Sequence, residues 1–289
     1  MPASPYASRF ISAQDGLRLH FRDYDEATSP RAPVVCLPGL ARTAADFDML
    51  AFHLAAKGRR VLALDYRGRG LSEWDKDAAH YDVVVENADI QAVCAAAGVE
   101  RAVFVGTSRG GIHVMALAAT RPRLIQAAIL NDIGPVLESK GLARIKGYVG
   151  KLPQPRDFTD AVDLMKRLAS AQFTGLSDAE WDLFARQTFV EKDGKLAPSY
   201  DPALAKGLAA IDLAKPLPTL WPQFEGLREA PLLVLRGANS DLLSEATVAE
   251  MQARHPRCEA HTVPGQGHAP LLMDEPTIAR VAEFVEAWG

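Results

Sequence analysis

The stretch that most restricts the fold of this chain is Gly106-Thr107-Ser108-Arg109-Gly110, set between two segments of opposite character. Before it, Ala102-Val103-Phe104-Val105 is apolar, β-branched and aromatic, the composition of a buried strand. After it, Gly111 to Ala119 reads as a helix that must stop before Pro122. A chain that passes from strand to helix in so few residues turns sharply, with its serine in a strained backbone conformation. The glycines two residues to either side are needed because side chains there would collide across the turn. Ser108 is therefore predicted to stand clear of a sheet edge, open on two sides, as a candidate nucleophile.

The flanking sequence repeats this strand-to-helix step. Ser8 to Ser12 and Leu17 to Tyr24 flank Asp15-Gly16, a hairpin signal. Arg18, His20 and Arg22 alternate with Leu17, Leu19 and Phe21, which predicts one buried face and places His20 in solvent. Pro33–Leu37 is a strand apolar throughout, and a helix over about 43–57 follows it, closed by Gly58. Val61–Leu64 is a third strand ending at Asp65, and a helix over about 82–97 is closed by Gly98. Beyond the elbow helix, Ala127–Leu130 is a strand ending at Asn131-Asp132. This rhythm means βαβ units, a mostly parallel sheet and helices on both faces, an α/β fold. Ligands of such sheets bind beyond the carboxyl ends of the strands, where Gly39, Asp65, Ser108 and Asp132 all fall.

Residues 133–228 break the rhythm, with prolines at 135, 153, 155, 198, 202, 216, 218 and 222 and no buried strand. Phe158, Ala161, Val162, Met165 and Leu168 recur at helical spacing, and Ser177-Asp178-Ala179-Glu180 is a capping box. Asp201-Pro202 reads as a cap with proline in the first turn. The segment 133–228 is expected to be a mostly helical cap inserted into a core formed by residues 1–132 and 229–289. The core pattern resumes with a strand at Pro231–Leu235, a helix over about 245–254, a strand at Glu259–Val263, the loop Pro264–Pro270 and a last helix over about 276–288.

Charge and cysteine content narrow the chemistry. A net charge of −4 over 289 residues exerts no long-range pull on nucleic acid or an anionic membrane. The three cysteines, Cys36, Cys94 and Cys258, form no Cys-x-x-Cys pair, which argues against disulfides and thiolate metal sites and fits a reducing compartment. The first nine residues lack a basic, apolar leader, and no apolar run reaches membrane-spanning length, so a cytoplasmic location is expected. Gly68-x-Gly70 follows a strand, but the third glycine of a dinucleotide fingerprint would fall at Glu73. No phosphate loop or His-Glu-x-x-His is present, so neither cofactor nor metal is expected. The expected partner is a small-molecule substrate, with no nucleic acid and no membrane, and a homodimer is left open.

A serine hydroxyl becomes nucleophilic only when an oriented base takes its proton. Of the seven histidines, His268 lies in a Gly/Pro-rich loop just past the last strand, on the reactive rim, whereas His53 and His113 fall in helices, His20 and His261 in strands, and His255 at a helix end. His80, in a loop, is the weaker rival. For the acid, Asp241 follows a strand by a short loop, and the order Ser108, Asp241, His268 is that of a triad built on this kind of sheet. Asp132, at the end of the preceding strand, is the competing acid. Backbone N–H groups of Arg109 and Leu40 are the candidate oxyanion donors, with Gly39 allowing close approach. The Arg109 side chain either binds an anionic substrate group or pairs with a carboxylate of the inserted segment, the second being preferred. Arg67 and Arg69 are expected to be structural or solvated.

Over nearly its full length outside the insertion, the chain resembles the α/β-hydrolase superfamily. The residues that carry the likeness are Leu37-Pro38-Gly39-Leu40, Asp65-Tyr66-Arg67-Gly68-Arg69-Gly70-Leu71-Ser72, Gly106–Gly111, Asn239-Ser240-Asp241 and Gly267-His268. The resemblance implies an eight-stranded sheet with a helical cap after the sixth strand and cofactor-free catalysis through a triad. The second stretch is similar to the loop after the fourth strand in esterases, enol-lactonases, C–C bond hydrolases and epoxide hydrolases. Serine at 108 argues against the branches with an aspartate nucleophile. Pro38-Gly39 replaces the usual His-Gly, and Arg109 stands where methionine is common, which leaves the subfamily open. The expected activity is carboxylic-ester hydrolysis through an acyl-enzyme, with C–C bond or enol-lactone hydrolysis and a non-catalytic small-molecule receptor as the alternatives.

Overall fold

Strand residues that are apolar at every position need cover on both sides, and the sheet supplies it. In a computed structural model describing residues 6–24 and 30–289, eight strands form one sheet. They are β1 (Ala7–Ser12), β2 (Arg18–Tyr24), β3 (Val34–Leu37), β4 (Val61–Asp65), β5 (Ala102–Thr107), β6 (Ile125–Asn131), β9 (Leu232–Gly237) and β10 (Cys258–Val263), with β7 (Phe189–Lys192) and β8 (Lys195–Pro198) forming a separate hairpin. Their order is β1-β2-β4-β3-β5-β6-β9-β10; β1 and β2 run antiparallel to their neighbours, and all other pairs are parallel. Residues 1–5, on which part of the leader reading rests, and 25–29 lie outside the described residues. Among the described residues no helix is long and apolar enough to cross a membrane.

Successive side chains on a strand point to opposite faces. Val34, Cys36, Val61, Ala63, Val103 and Val105 accordingly pack with Leu50 and Leu54 of α1 (Asp48–Ala55) and with Ile278, Val281 and Phe284 near the C-terminus. The alternate residues, among them Val35, Leu37, Leu62, Leu64 and Phe104, meet Ile90 and Val93 of α2 (Val83–Ala96) and Val114 and Leu117 of α3 (Arg109–Thr120). The side chains of both layers are buried, so each large one contributes about 1.5–3 kcal/mol.

Between β6 and β9 come α4 (Ser139–Tyr148), α5 (Phe158–Ala169), α6 (Asp178–Thr188), the β7–β8 hairpin, α7 (Ala205–Ala209) and α8 (Trp221–Glu225). α9 (Glu245–Arg254) and α10 (Glu275–Trp288) complete the chain. Within this segment Ala161, Leu164, Met165, Trp181 and Phe184 form their own small core, and the Ser177–Glu180 capping box is present at the start of α6. The hairpin departs from the helical expectation: Asp193 and Gly194, at φ +53° and +72°, make its turn, and its strands are largely exposed.

His20 is not in solvent as its alternation predicts. It is fully buried, because the loop after β4 folds back over β2 and covers the second face. Its Nδ1 lies 2.7 Å from Asp65 Oδ2 and its Nε2 lies 2.7 Å from Ser8 Oγ, while Ala44 N–H and Leu71 N–H also donate to Asp65. This Ser-His-Asp set spans β1, β2 and the end of β4, outside the main cavity, and its carboxylate serves the loop. Arg67 and Arg69 are buried and structural. Arg67 forks onto Asp89, and Arg69 Nη1 donates to Glu86 at 2.5 Å.

The elbow is as tight as the glycines require. A Cβ at Gly106 would come within 2.5 Å of the Gly110 carbonyl carbon, and one at Gly110 would collide with the Leu37 carbonyl oxygen. Both obstacles are backbone and cannot swing aside. Gly110→Ala is therefore expected to cost about 3 kcal/mol and to lower Tm by roughly 5 °C or more. Thermal melts followed by circular dichroism check this, and a melt within about 1 °C of wild type would show that the turn has slack.

Candidate active site

The elbow serine ends β5 and begins α3. Its backbone sits at φ +51°, ψ −112°, a region an L-residue occupies only under constraint from its surroundings. Ser108 Oγ lies 2.9 Å from His268 Nε2. His268 comes from the loop after β10, as the rim position predicts, and its side chain is 5% exposed. Its loop is held from several sides: the Gln172 side-chain oxygen accepts the His268 N–H at 3.0 Å, and Asn131 Nδ2 donates to the Pro270 carbonyl at 2.9 Å.

The acid in contact with His268 is Asp132, not Asp241. Asp132 Oδ2 lies 2.8 Å from His268 Nδ1. The side chain is fully buried, yet both oxygens are satisfied: Gly237 N–H donates to Oδ1 at 2.8 Å and Ser240 O–H to Oδ2 at 2.6 Å. A carboxylate so held accepts from Nδ1–H, which leaves the Nε2 lone pair for the serine proton. Asp241 lies further along the loop after β9, where Arg144 of α4 takes its carboxylate in a two-bond fork, Nε at 2.7 Å and Nη2 at 2.8 Å. Burial works against ionisation of Asp241, but Arg144 outweighs it and keeps the carboxyl below its ordinary range. The sequence order fits either aspartate; the placement of Asp132 directly at the end of β6, beside β5, decides which reaches the imidazole.

Two backbone donors flank the same cavity. Arg109 is the first residue of α3, whose leading N–H groups have no intrahelical acceptor, and Leu40 lies in the turn after β3. A Cβ on Gly39 would lie 3.9 Å from the Ser108 Cβ, so the turn passes close to the serine. The Arg109 side chain does form an ion pair, but with Glu86 of α2 in the core and not with a carboxylate of the inserted segment. Glu86 is fully buried, and Arg69, which it also binds, donates Nε–H to the Leu40 carbonyl at 2.8 Å. One carboxylate thus braces both residues that carry the candidate donors. Burial opposes its ionisation, but Arg69 and Arg109 hold its carboxyl far below the usual range. No spacing in the sequence points to Glu86, Arg144 or Gln172 because their partners lie far away in the chain.

His113 of α3 shares this cluster, with Nε2 3.0 Å from Glu86 Oε2 and Nδ1 2.8 Å from Asn87 Oδ1. Burial lowers its pKa below the ordinary 6.5, with Glu86 offsetting part of the effect. A depressed imidazole is neutral in the fold and takes up a proton more readily when unfolded. The stability it allows is complete above about pH 6.5 and is lost as pH falls toward the folded value. Urea melts are thus expected to show a stability loss from about pH 7 to pH 5 that is smaller in His113→Gln. An unchanged slope in that variant would assign the loss to other groups.

The cavity above Ser108 has a volume of about 270 Å³ and is walled mainly by apolar side chains, including Ile133, Leu142, Ile145, Met165 and Leu271. Among the described residues the one cluster of metal-ligand types is Asp15, Asp75 and His80, and Arg67 Nη1 already sits 2.9 Å and 2.6 Å from its two carboxylates.

Comparison with known proteins agrees with this architecture. Residues 34–283 match the model of the alpha/beta hydrolase family, and the chain belongs to that family. It is 35% identical to a 3-hydroxybutyrate-oligomer hydrolase of Cupriavidus necator, over 98% of this chain and 99% of that one. It is 27% identical to the sn-1-specific diacylglycerol lipase ABHD11 of Mus musculus, over 84% of this chain and 76% of that one. The solved structure of an alpha/beta hydrolase from Novosphingobium aromaticivorans shares 40% identity and a TM-score of 0.91, covering 98% of this chain and 99% of that one.

Proposed function

We propose that the chain hydrolyses carboxylic esters of small substrates through an acyl-enzyme, with Ser108 as nucleophile, His268 as general base and acid, and Asp132 as the orienting carboxylate. The observation that carries the reading is the 2.9 Å approach of His268 Nε2 to Ser108 Oγ, with Asp132 on the other ring nitrogen. Ser108 Oγ attacks the ester carbonyl carbon while its proton passes to His268 Nε2. The oxyanion is met by the N–H groups of Leu40 and Arg109, with the α3 N-terminus adding its positive end. The C–O bond then breaks, and the alcohol leaves with the proton from His268. Water repeats the attack on the acyl-serine, releases the acid and restores the serine hydroxyl. Asp132 stays ionised throughout and stabilises the imidazolium.

The similarity to a 3-hydroxybutyrate-oligomer hydrolase supports short hydroxy-acid esters as the substrate class. A 270 Å³ cavity lies just below the usual range of about 300–1,000 Å³ for ligand pockets, which favours a small acyl group over a long chain. The test is a panel of p-nitrophenyl acetate, butyrate and palmitate, a meta-cleavage product and an enol-lactone, assayed with the purified chain. The reading expects butyrate to be turned over fastest and palmitate poorly. Turnover of the carbon–carbon or lactone substrate with none of the esters would overturn it.

A further inference from the structure

The cavity wall carries a polar sector beside Ser108 and His268. Arg42, Arg144 and Tyr148 all line it, within a wall that is mainly apolar. Each guanidinium is gripped by an aspartate: Arg42 Nε and Nη2 meet Asp46 at 2.7 Å and 2.5 Å, as Arg144 meets Asp241. Tyr148 lines the cavity one helical turn after Arg144 on α4. Such a fork uses two of the five N–H donors of a guanidinium and fixes its plane; Arg42 Nη1 also donates to Thr188 Oγ1 at 2.5 Å, so Arg144 keeps the larger share of donors for a further acceptor.

The sector adjoins the reacting atoms. A Cβ on Gly39 would lie 3.3 Å from Arg42 Cγ and 3.9 Å from Ser108 Cβ, so one glycine separates the arginine stem from the nucleophile. On the other side, Asp241 in the Arg144 fork directly follows Ser240, whose hydroxyl donates to Asp132 at 2.6 Å. Asp46 and Asp241 offset Arg42 and Arg144, while Glu86 and Asp132 offset Arg69 and Arg109, so the sector presents fixed donors and not an excess of charge. The α3 N-terminus adds positive potential beside Ser108. Open guanidinium donors on a cavity wall suit a carboxylate better than a neutral ester oxygen, because a charged acceptor makes the stronger hydrogen bond.

We infer that the Arg42–Tyr148–Arg144 sector binds the free carboxylate of a substrate whose alcohol part is itself a hydroxy acid. In an ester of a β-hydroxy acid, one oxygen and two carbons link the reacting carbonyl carbon to that carboxylate. With the carbonyl at Ser108, the carboxylate reaches the wall that begins one glycine away. The enzyme then works from the carboxyl end of such a chain and releases one hydroxy acid per turnover. The inference rests on Ser108 being the acylated residue.

The test compares 3-hydroxybutyryl-3-hydroxybutyrate as the free acid and as its methyl ester, with p-nitrophenyl butyrate alongside, on the purified full chain. Wild type is expected to favour the free acid by about 10-fold or more in kcat/KM, the weight of a charged hydrogen bond. Arg144→Gln is expected to bring that ratio near one, chiefly through KM of the acid, and Arg144→Lys to restore part of it. The wild-type ratio decides the matter even if the variants fold poorly. A methyl ester hydrolysed as well as the free acid, with p-nitrophenyl butyrate still turned over, would overturn the carboxylate site and leave the serine reading standing. No turnover of any of the three would take both down.

Discussion

Ser108→Ala is expected to lower ester turnover by ~10⁴-fold or more while leaving the fold intact. The side chain removed is the attacking atom itself, and no neighbouring group replaces it. Ser8, which also hydrogen-bonds to a histidine, stands on the edge strand away from the cavity and cannot take over. The remaining activity should be that of the donors and the cavity alone. Steady-state kinetics with p-nitrophenyl butyrate checks the loss, and retention of more than about a tenth of wild-type kcat would remove Ser108 from the mechanism.

The second large effect separates two aspartates. Asp132→Asn keeps the size of the side chain but places an amide against His268 Nδ1. Since an amide nitrogen donates, it favours the tautomer in which Nε2 carries the proton and cannot accept from the serine. A loss of ~10⁴-fold in kcat is expected. Asp241→Asn leaves the imidazole contacts untouched and weakens only the fork to Arg144, so kcat on p-nitrophenyl butyrate should fall by less than about 10-fold. The reverse ranking would show that the imidazole changes acid partner during turnover.

Much of this site was legible in the chain because its parts lie at strand ends. Ser108 is signalled by a turn that only glycines permit, and His268 by a loop that follows the last strand. The choice between Asp132 and Asp241 was not legible, since each follows a strand by a plausible distance. What settles it is lateral: β6 lies beside β5, and an arginine from α4, distant in sequence, captures Asp241. His20 failed for a related reason. Alternation along β2 reports the strand's own faces and says nothing of the loop from 65 to 73 that later covers one of them. The β7–β8 hairpin carries an Asp-Gly turn signal, but its strands are short and exposed, so their apolar pattern is faint next to the helices around them. Glu86 had no local signature at all, because its meaning comes from two arginines on different elements.

The most direct measurement is labelling with a fluorophosphonate probe followed by intact mass and peptide mapping. An activated serine attacks phosphorus and an ordinary one does not. The prediction is a single adduct on Ser108 that disappears in Ser108→Ala and forms far more slowly in Asp132→Asn. An unlabelled protein, or an adduct on Ser8 or any other serine while Ser108 stays free, would contradict the account.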